Sequence, residues 1–291
     1  MKTGIVILNY NDYDTTKDMI KQIKNYKCLN YILVVDNNSS DNSYDKLLKL
    51  QENNIEVIKT DKNKGYAYGN NYGVKYLDNK YKIDNIIISN PDVIVSEDTI
   101  KKLIEDLKNN KNISLISPIV EEKGKLSRGW KLPHFKEDLI SNINYFHKYA
   151  NKLMEYNEDH YKNKIVKVEA THGCFFMIRM KDFKKVDYFD EKTFLYYEEK
   201  ILGKKLKDND MGVYVDTSLK VIHNLSVSVD KTYNSIKKYK ILKNSQKYYE
   251  KNYNKLNIFG IILLRIFYYI SLLISYIVVL VSNIGRKKWK I

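Results

Sequence analysis

The sequence predicts an α/β fold: a mostly parallel sheet with flanking helices, followed by a C-terminal membrane-associated helical segment. Three observations carry this prediction. Short β-branched runs alternate with helical patterns through the first 120 residues. Clusters of Asn, Asp, Ser and Gly follow the strand ends in that half. Residues 266–284 then run for 19 positions without a charge.

Strands are expected at Ile5–Leu8, Ile32–Val35, Ile55–Ile58, Ile86–Ile88 and Ile113–Ile119, with helices between them at about 14–27, 42–52, 66–79 and 96–110. Asp41 and Ser96 are the expected N-caps. Alternation of this length implies a parallel sheet covered on both faces. Ligands on such sheets bind beyond the carboxyl ends of the strands. Residues 121–165 are polar and irregular, with a Lys-Gly turn at 123–124. Val166–Met180 reads as strand, Phe194–Lys207 as helix, and Val213–Val215 and Leu219–Ile222 as short strands. The expected organisation is a domain over 1–225 (halves 1–120 and 121–225), a basic juxtamembrane helix over 226–255, and a hydrophobic segment with a basic tail over 256–291.

With 291 residues and a hydrophobic fraction of 44%, the chain can bury a sizeable core. Its two cysteines, Cys28 and Cys174, exclude a disulfide framework and a thiolate zinc site. The first apolar run is too short for a signal peptide. Net charge is +15, and from Lys231 to Lys255 there are eight lysines and one acid, Glu250. This run leads into the uncharged stretch, which points to an anionic membrane surface and not to nucleic acid. As a helix, 266–284 is roughly 28 Å long, close to a bilayer core. Basic residues flank it on both sides, and both flanks favour the cytoplasmic face. A single crossing cannot satisfy both, so 256–284 is expected to re-enter or to lie in the interface.

The candidate site residues follow the strands. Asn9 ends the first; Asp36 and Asn38 end the second, where a carboxylate can accept hydrogen bonds from a base or ribose. Turn and helix-capping chemistry explains Asp36 equally well. Asn63, Lys64 and Gly65 sit at a helix N-terminus, which favours phosphate, and Asn71 lies within that helix. Gly65, Gly69 and Gly73 share a helix face; close approach to a ligand or packing on the sheet would each require this. Asp92 follows Ile86–Ile88 and could hold a divalent ion that also binds a diphosphate.

In this order, Ile7–Asn11, Val34–Asp41, Asn63–Gly73, Asn90–Val93, Gly173–Arg179 and Tyr188–Glu199 resemble the motifs of family 2 glycosyltransferases, most nearly the rhamnosyltransferase-like bacterial members. The resemblance covers roughly 1–225. It implies a GT-A (Rossmann-like) fold, a nucleotide-diphosphate-sugar donor, a hydroxyl acceptor, inversion at the anomeric centre, and a divalent cation, Mn2+ or Mg2+. It places Asp36 at the nucleotide base, Asp92 at the metal motif, and the acidic pair Glu198–Glu199 at the catalytic base. It puts His223 near the diphosphate and metal, and His172, Gly173 and Cys174 on the acceptor side. Two departures stand out. Asn-Pro-Asp replaces the Asp-x-Asp of many relatives, which implies a weaker hold on the ion. Lys200 follows the glutamates where many relatives carry a further acid.

The spacing of Leu195, Glu199, Leu202 and Leu206 puts Glu199 on an apolar helix face. A carboxylate there has a raised pKa, suited to removing a hydroxyl proton. This favours Glu199 over Glu198 as the base. The basic segment and apolar tail suggest a lipid-linked saccharide acceptor at the cytoplasmic face of the membrane, in surface polysaccharide biosynthesis. Two rivals are a nucleotidyltransferase, which would want a glycine-rich, basic first loop, and a non-catalytic membrane protein that keeps the fold.

Overall fold

The computed structural model describes residues 1–143, 146–224 and 235–288. Ten strands form one sheet in the order β3-β2-β1-β4-β9-β6-β10-β5, with β7 added to β6 and β8 to β10. The strands β1 (Thr3–Asn9), β2 (Tyr31–Asp36), β3 (Ile55–Lys59) and β4 (Asn85–Ser89) pair in parallel. Beyond them β9 (Phe175–Arg179) runs antiparallel between β4 and β6 (Ile113–Glu122). The long strand β10 (Gly212–His223) runs parallel to β6. The expected mostly parallel sheet is therefore found in the first half and becomes mixed in the second.

These directions bring the carboxyl ends of β1, β2, β4, β6 and β10 to one rim, together with the amino end of β9. The helices α1 (Tyr13–Ile23), α2 (Ser43–Leu48) and α4 (Glu97–Asn109) cover one face; Met19, Ile20, Ile23, Leu47, Ile100 and Leu103 seal it. On the other face lie α3 (Tyr66–Tyr81), α7 (Met180–Lys185) and α8 (Glu198–Lys207), through Val74, Leu77, Phe183, Leu202 and Leu206. Each such buried side chain contributes on the order of 2 kcal/mol of transfer free energy, which is why the apolar runs become the sheet. Ser96 caps α4 as expected, its hydroxyl accepting from the Thr99 N–H at 3.1 Å. Asp41 lies one residue before the Asn42 N-cap of α2 and accepts from the Ser43 N–H.

Gly69 and Gly73 serve packing. A Cβ on Gly69 would sit 2.4 Å from Leu8, and one on Gly73 2.6 Å from Val35. Gly65 differs: its φ is +103°, and an added Cβ would lie 2.0 Å from the Phe194 carbonyl oxygen. The close approach there is to the loop before α8, and the Tyr66 N–H donates to that same carbonyl.

Several elements depart from the expected pattern. The Lys-Gly turn is a hairpin between β6 and β7 (Lys125–Ser127), with Lys123 and Gly124 both at positive φ. Residues 121–165 also hold two helices, α5 (Phe135–Ser141) and α6 (His147–Met154). Val166–Met180 is split into β8 (Ile165–Val168) and β9 by the loop bearing His172–Cys174. The two short strands expected over 213–222 are one strand with a register shift between Asp216 and Lys220. The helix expected from Phe194 begins only at Glu198, because Tyr196 and Tyr197 both take left-handed conformations, φ 72° and 73°.

Ser235–Asn252 (α9) lies within the expected juxtamembrane helix 226–255, and it packs against α5 and the loop before α8. Tyr249 is fully buried against Tyr197, and Gln246 donates to the Asp138 carbonyl at 3.0 Å. Tyr248 and Tyr253 both donate to one Asp190 oxygen, at 2.7 and 2.6 Å, and Ser245 donates to the Leu195 carbonyl at 2.7 Å. The lysines of α9 thus ride on a helix whose other side holds the loop before α8. Residues 225–234 and 289–291 lie outside the described residues. Ile258–Lys288 (α10) is one continuous helix, so the re-entrant hairpin is not formed. Among the described residues no helix is long and apolar enough to cross a membrane.

Candidate active site

At the rim of β1 and β2, Asn9 donates to Asp36 Oδ2 at 2.8 Å and to Ser39 Oγ at 3.2 Å, while Asp36 Oδ1 accepts from the Ser39 N–H at 2.8 Å. Thr16 donates to Asn9 Oδ1 at 2.8 Å. Asp36 is wholly buried, so it holds the turn that carries Ser39, and any nucleotide contact uses its remaining lone pairs. Asn38 is left-handed, φ 58°. Next to this turn, Asn37 donates to Asn63 Oδ1 and to the Gly65 carbonyl, both at 3.1 Å, and Asn63 Oδ1 accepts from the Gly65 N–H. Lys64 lies 4.2 Å over the Tyr68 ring. Asn71 points elsewhere: its amide clamps both the N–H and the carbonyl of Phe189 and donates to Glu191. Asn71 therefore joins α3 to the loop before α8.

At the centre of the rim, the β5 (Val93–Ile94) to β10 pairing sets His223 opposite Val93. His223 Nε2 then lies 3.2 Å from Asp92 Oδ1, and its Nδ1 lies 2.8 Å from Glu122 Oε2. Glu122 also faces His172 Nε2 at 3.5 Å. Burial opposes charge on His223, but the Asp92 and Glu122 carboxylates outweigh it and its pKa stands above the ordinary value. The two imidazoles, His172 first, hold Glu122 down to about 2. Burial pushes the Cys174 thiol up, and the Asp92 and Glu122 charges push it further.

This cluster fits a divalent ion. His172, Cys174 and His223 offer ligand atoms within 4.8 Å of one another. Two ligands about 2.1 Å from one ion at a right angle are about 3 Å apart, near the Asp92–His223 separation. Carboxylate and imidazole together suit manganese better than magnesium. Glu122 escaped the sequence reading. Its signal was the acidic pair Glu121–Glu122 at the end of a long apolar strand. It stands at Nδ1 of His223, on the other side of the ring from the single acid of Asn-Pro-Asp.

The glutamate pair stands at the N-terminus of α8. Tyr66 donates to the Gly173 carbonyl at 2.7 Å, and a Cβ on Gly173 would lie 3.9 Å from Glu199 Oε2. The Asn90 N–H donates to the Cys174 carbonyl at 2.8 Å and His172 faces Glu122, so the 172–174 loop runs beside both Glu199 and the Asp92–His223 cluster. The expected burial is reversed within the pair. Glu198 is 7% exposed, with Oε1 unpartnered among the described residues; Glu199 remains half-buried. Burial, then the Glu199 charge, raises Glu198 from 4.5 to about 8. The apolar periodicity included Leu195, which precedes the helix, and this is why it put the more buried carboxyl one residue too late.

Glu198 therefore makes stability depend on pH. Its unfolded form releases a proton near 4.5 and its folded form near 8. The folded state carries the extra proton between those values, so this contribution is complete below about pH 4.5 and is lost as pH rises to about 8. Glu250 and His223, also raised, act in the same direction. The melting temperature should fall from pH 5 to pH 8, and Glu198→Gln should flatten that fall. A wild-type and variant pair that track each other across the range would contradict the burial of Glu198.

Comparison with known proteins puts this arrangement in the glycosyltransferase class. The chain belongs to family 2 of that class: the model described as Glycosyl transferase family 2 matches residues 4–187. It is 25% identical over 224 residues to the low-salt glycan biosynthesis hexosyltransferase Agl10 of Haloferax volcanii, covering 77% of this chain and 67% of that one. It is 26% identical over 141 residues to the rhamnosyltransferase WbbL of Escherichia coli, covering 46% of this chain and 51% of that one. A crystal structure of GalNAc-T7 with UDP, GalNAc and Mn2+ matches with a TM-score of 0.61, at 14% identity, over 86% of this chain and 48% of that one. The chain thus spans about half the length of the last two, and the last likeness is one of fold, a GT-A-like α/β architecture.

Proposed function

We propose that this glycosyltransferase moves a sugar from a nucleotide-diphosphate donor to a hydroxyl of a lipid-linked saccharide, with inversion, at the cytoplasmic face of the membrane. The observation that carries the reading is the rim itself. The 172–174 loop lies against both the Asp92–His223–Glu122 cluster and the Glu199 carboxylate: His172 faces Glu122 at 3.5 Å, and Gly173 lies beside Glu199.

In this mechanism the nucleoside lies over the Asn9–Asp36–Ser39 turn and the diphosphate reaches toward Asp92. Glu199 takes the proton of the acceptor hydroxyl as its oxygen attacks the anomeric carbon from the side opposite the diphosphate. One carbon–oxygen bond forms, the bond to the phosphate oxygen breaks, and the nucleoside diphosphate leaves with the electron pair. A divalent ion held by Asp92 and His223 would offset the charge growing on that leaving group. Glu198 stays protonated beneath Glu199 and keeps a second negative charge away from the acceptor. The apolar α10 and the lysines of α9 suit an acceptor presented at a bilayer, and surface polysaccharide assembly suits such an acceptor.

A thermal-shift screen of nucleoside diphosphates with Mn2+ tests the reading. At least one should raise the melting temperature by several degrees, in proportion to ln(1 + [L]/Kd). If none binds with or without the ion, the donor half of this proposal falls.

A further inference from the structure

At the junction of α5, α9 and α10 lies a cavity of about 270 Å³, remote from the rim in sequence and in lining. Lys243 and Lys247 enter it from successive turns of α9, and Arg265 from α10. None of its nine lining residues is acidic. Lys243 is only 7% exposed and reaches Ser141 Oγ at 3.4 Å. The carboxylate acting on it, Asp138, accepts the Tyr197 hydroxyl at 2.6 Å through one of its oxygens. Lys247 is pushed below the ordinary lysine range by burial and by the charges of Arg265 and Lys251. Asn142, 1% exposed, also lines the cavity, and its carboxamide oxygen has no hydrogen-bond partner among the described residues. A half-turn of that amide presents an NH2 donor instead. Cations held together against their repulsion around a space of this size suit a phosphate group, whose oxygens accept from all of them.

The surroundings say what carries the phosphate. One stripe of α10, through Ile261, Leu264 and Ser271, packs inward, and Ser271 accepts from the Tyr239 hydroxyl. The opposite stripe, with Ile262, Ile266, Ile270, Leu273 and Ile277, is exposed. Tyr269 belongs to both regions: it lines the cavity and is 64% exposed. A basic cavity opening beside an exposed apolar stripe matches a molecule with a phosphate at one end and hydrocarbon at the other. We propose that the cavity binds the phosphate of a membrane lipid, with the exposed stripe of α10 lying among the acyl chains next to it.

The test is co-sedimentation of the full chain, without sugar donor, with phosphatidylglycerol/phosphatidylcholine vesicles at physiological salt. It reads binding alone, so its failure leaves the transferase reading standing. Lys247→Gln with Arg265→Gln should weaken binding about tenfold or more, while the exposed pair Lys240→Gln with Lys255→Gln, outside the cavity, should cost about threefold or less. Charge-conserving Lys247→Arg with Arg265→Lys should keep most of the affinity, and inorganic phosphate at tens of millimolar should compete only weakly. Melting curves establish that each variant is folded. Equal losses for the two Gln pairs would mean diffuse attraction by the basic helix and would overturn the site. Full competition by inorganic phosphate would overturn the lipid as its source.

Discussion

Glu199→Gln should lower kcat by about a thousandfold, the middle of the range for losing a general base, while nucleotide binding stays within a few-fold of wild type. Glutamine keeps the shape and cannot take the proton. Exposure supports this choice: Glu199 lies beside Gly173 and keeps part of its surface open, whereas Glu198 is buried. A base must come within hydrogen-bond reach of the hydroxyl it deprotonates, and Glu199 is the more exposed of the two. Glu198→Gln should therefore retain turnover to within about tenfold, because an amide resembles the protonated carboxyl already present there. Single-turnover transfer of a labelled sugar reads both variants. If Glu198→Gln is dead and Glu199→Gln active, the roles are exchanged.

Asp92→Asn should lower kcat/KM by about a hundredfold or more, the scale for removing one group that stabilises developing charge. It should also weaken Mn2+ binding, measured by calorimetry with the nucleoside diphosphate present. The carboxylate stands 3.2 Å from His223 Nε2, so its loss takes away the charged partner of the one imidazole that faces both acids. Glu122→Gln acts through His223 and should cost less, about ten- to hundredfold, as for residues that orient a ligand from behind. Raising the Mn2+ concentration should recover part of the activity of Glu122→Gln and little of that of Asp92→Asn. Equal recovery in both would place Asp92 outside the ion site.

The legible parts of the fold were those fixed by local pattern. Ile5–Leu8 and Ile86–Ile88 read as strands because their apolar runs are short, β-branched and bounded by turn residues. Ser96 read as a cap because its hydroxyl needs only a neighbour three residues on. Gly65 stood out, but its partner, the Phe194 carbonyl, is 129 residues away in the chain and left no local trace. Asn71 was misjudged for the same reason: nothing near it signals the Phe189 backbone that occupies its amide. Helix α5 was hidden because its buried contacts, those of Asp138 with Tyr197 and Gln246, are with residues far away in the chain.

The sequence by itself determined the α/β alternation, the polar strand ends, the family resemblance and the basic, apolar C-terminus. Periodicity and residue chemistry act between near neighbours, and these features need nothing more. Only the tertiary structure decided which glutamate is sealed, that Glu122 joins His172 and His223, and that α9 braces the loop before α8. Each of these depends on a contact between residues far apart in the chain, where burial and charge are set by what the fold places opposite, and a single sequence does not record that.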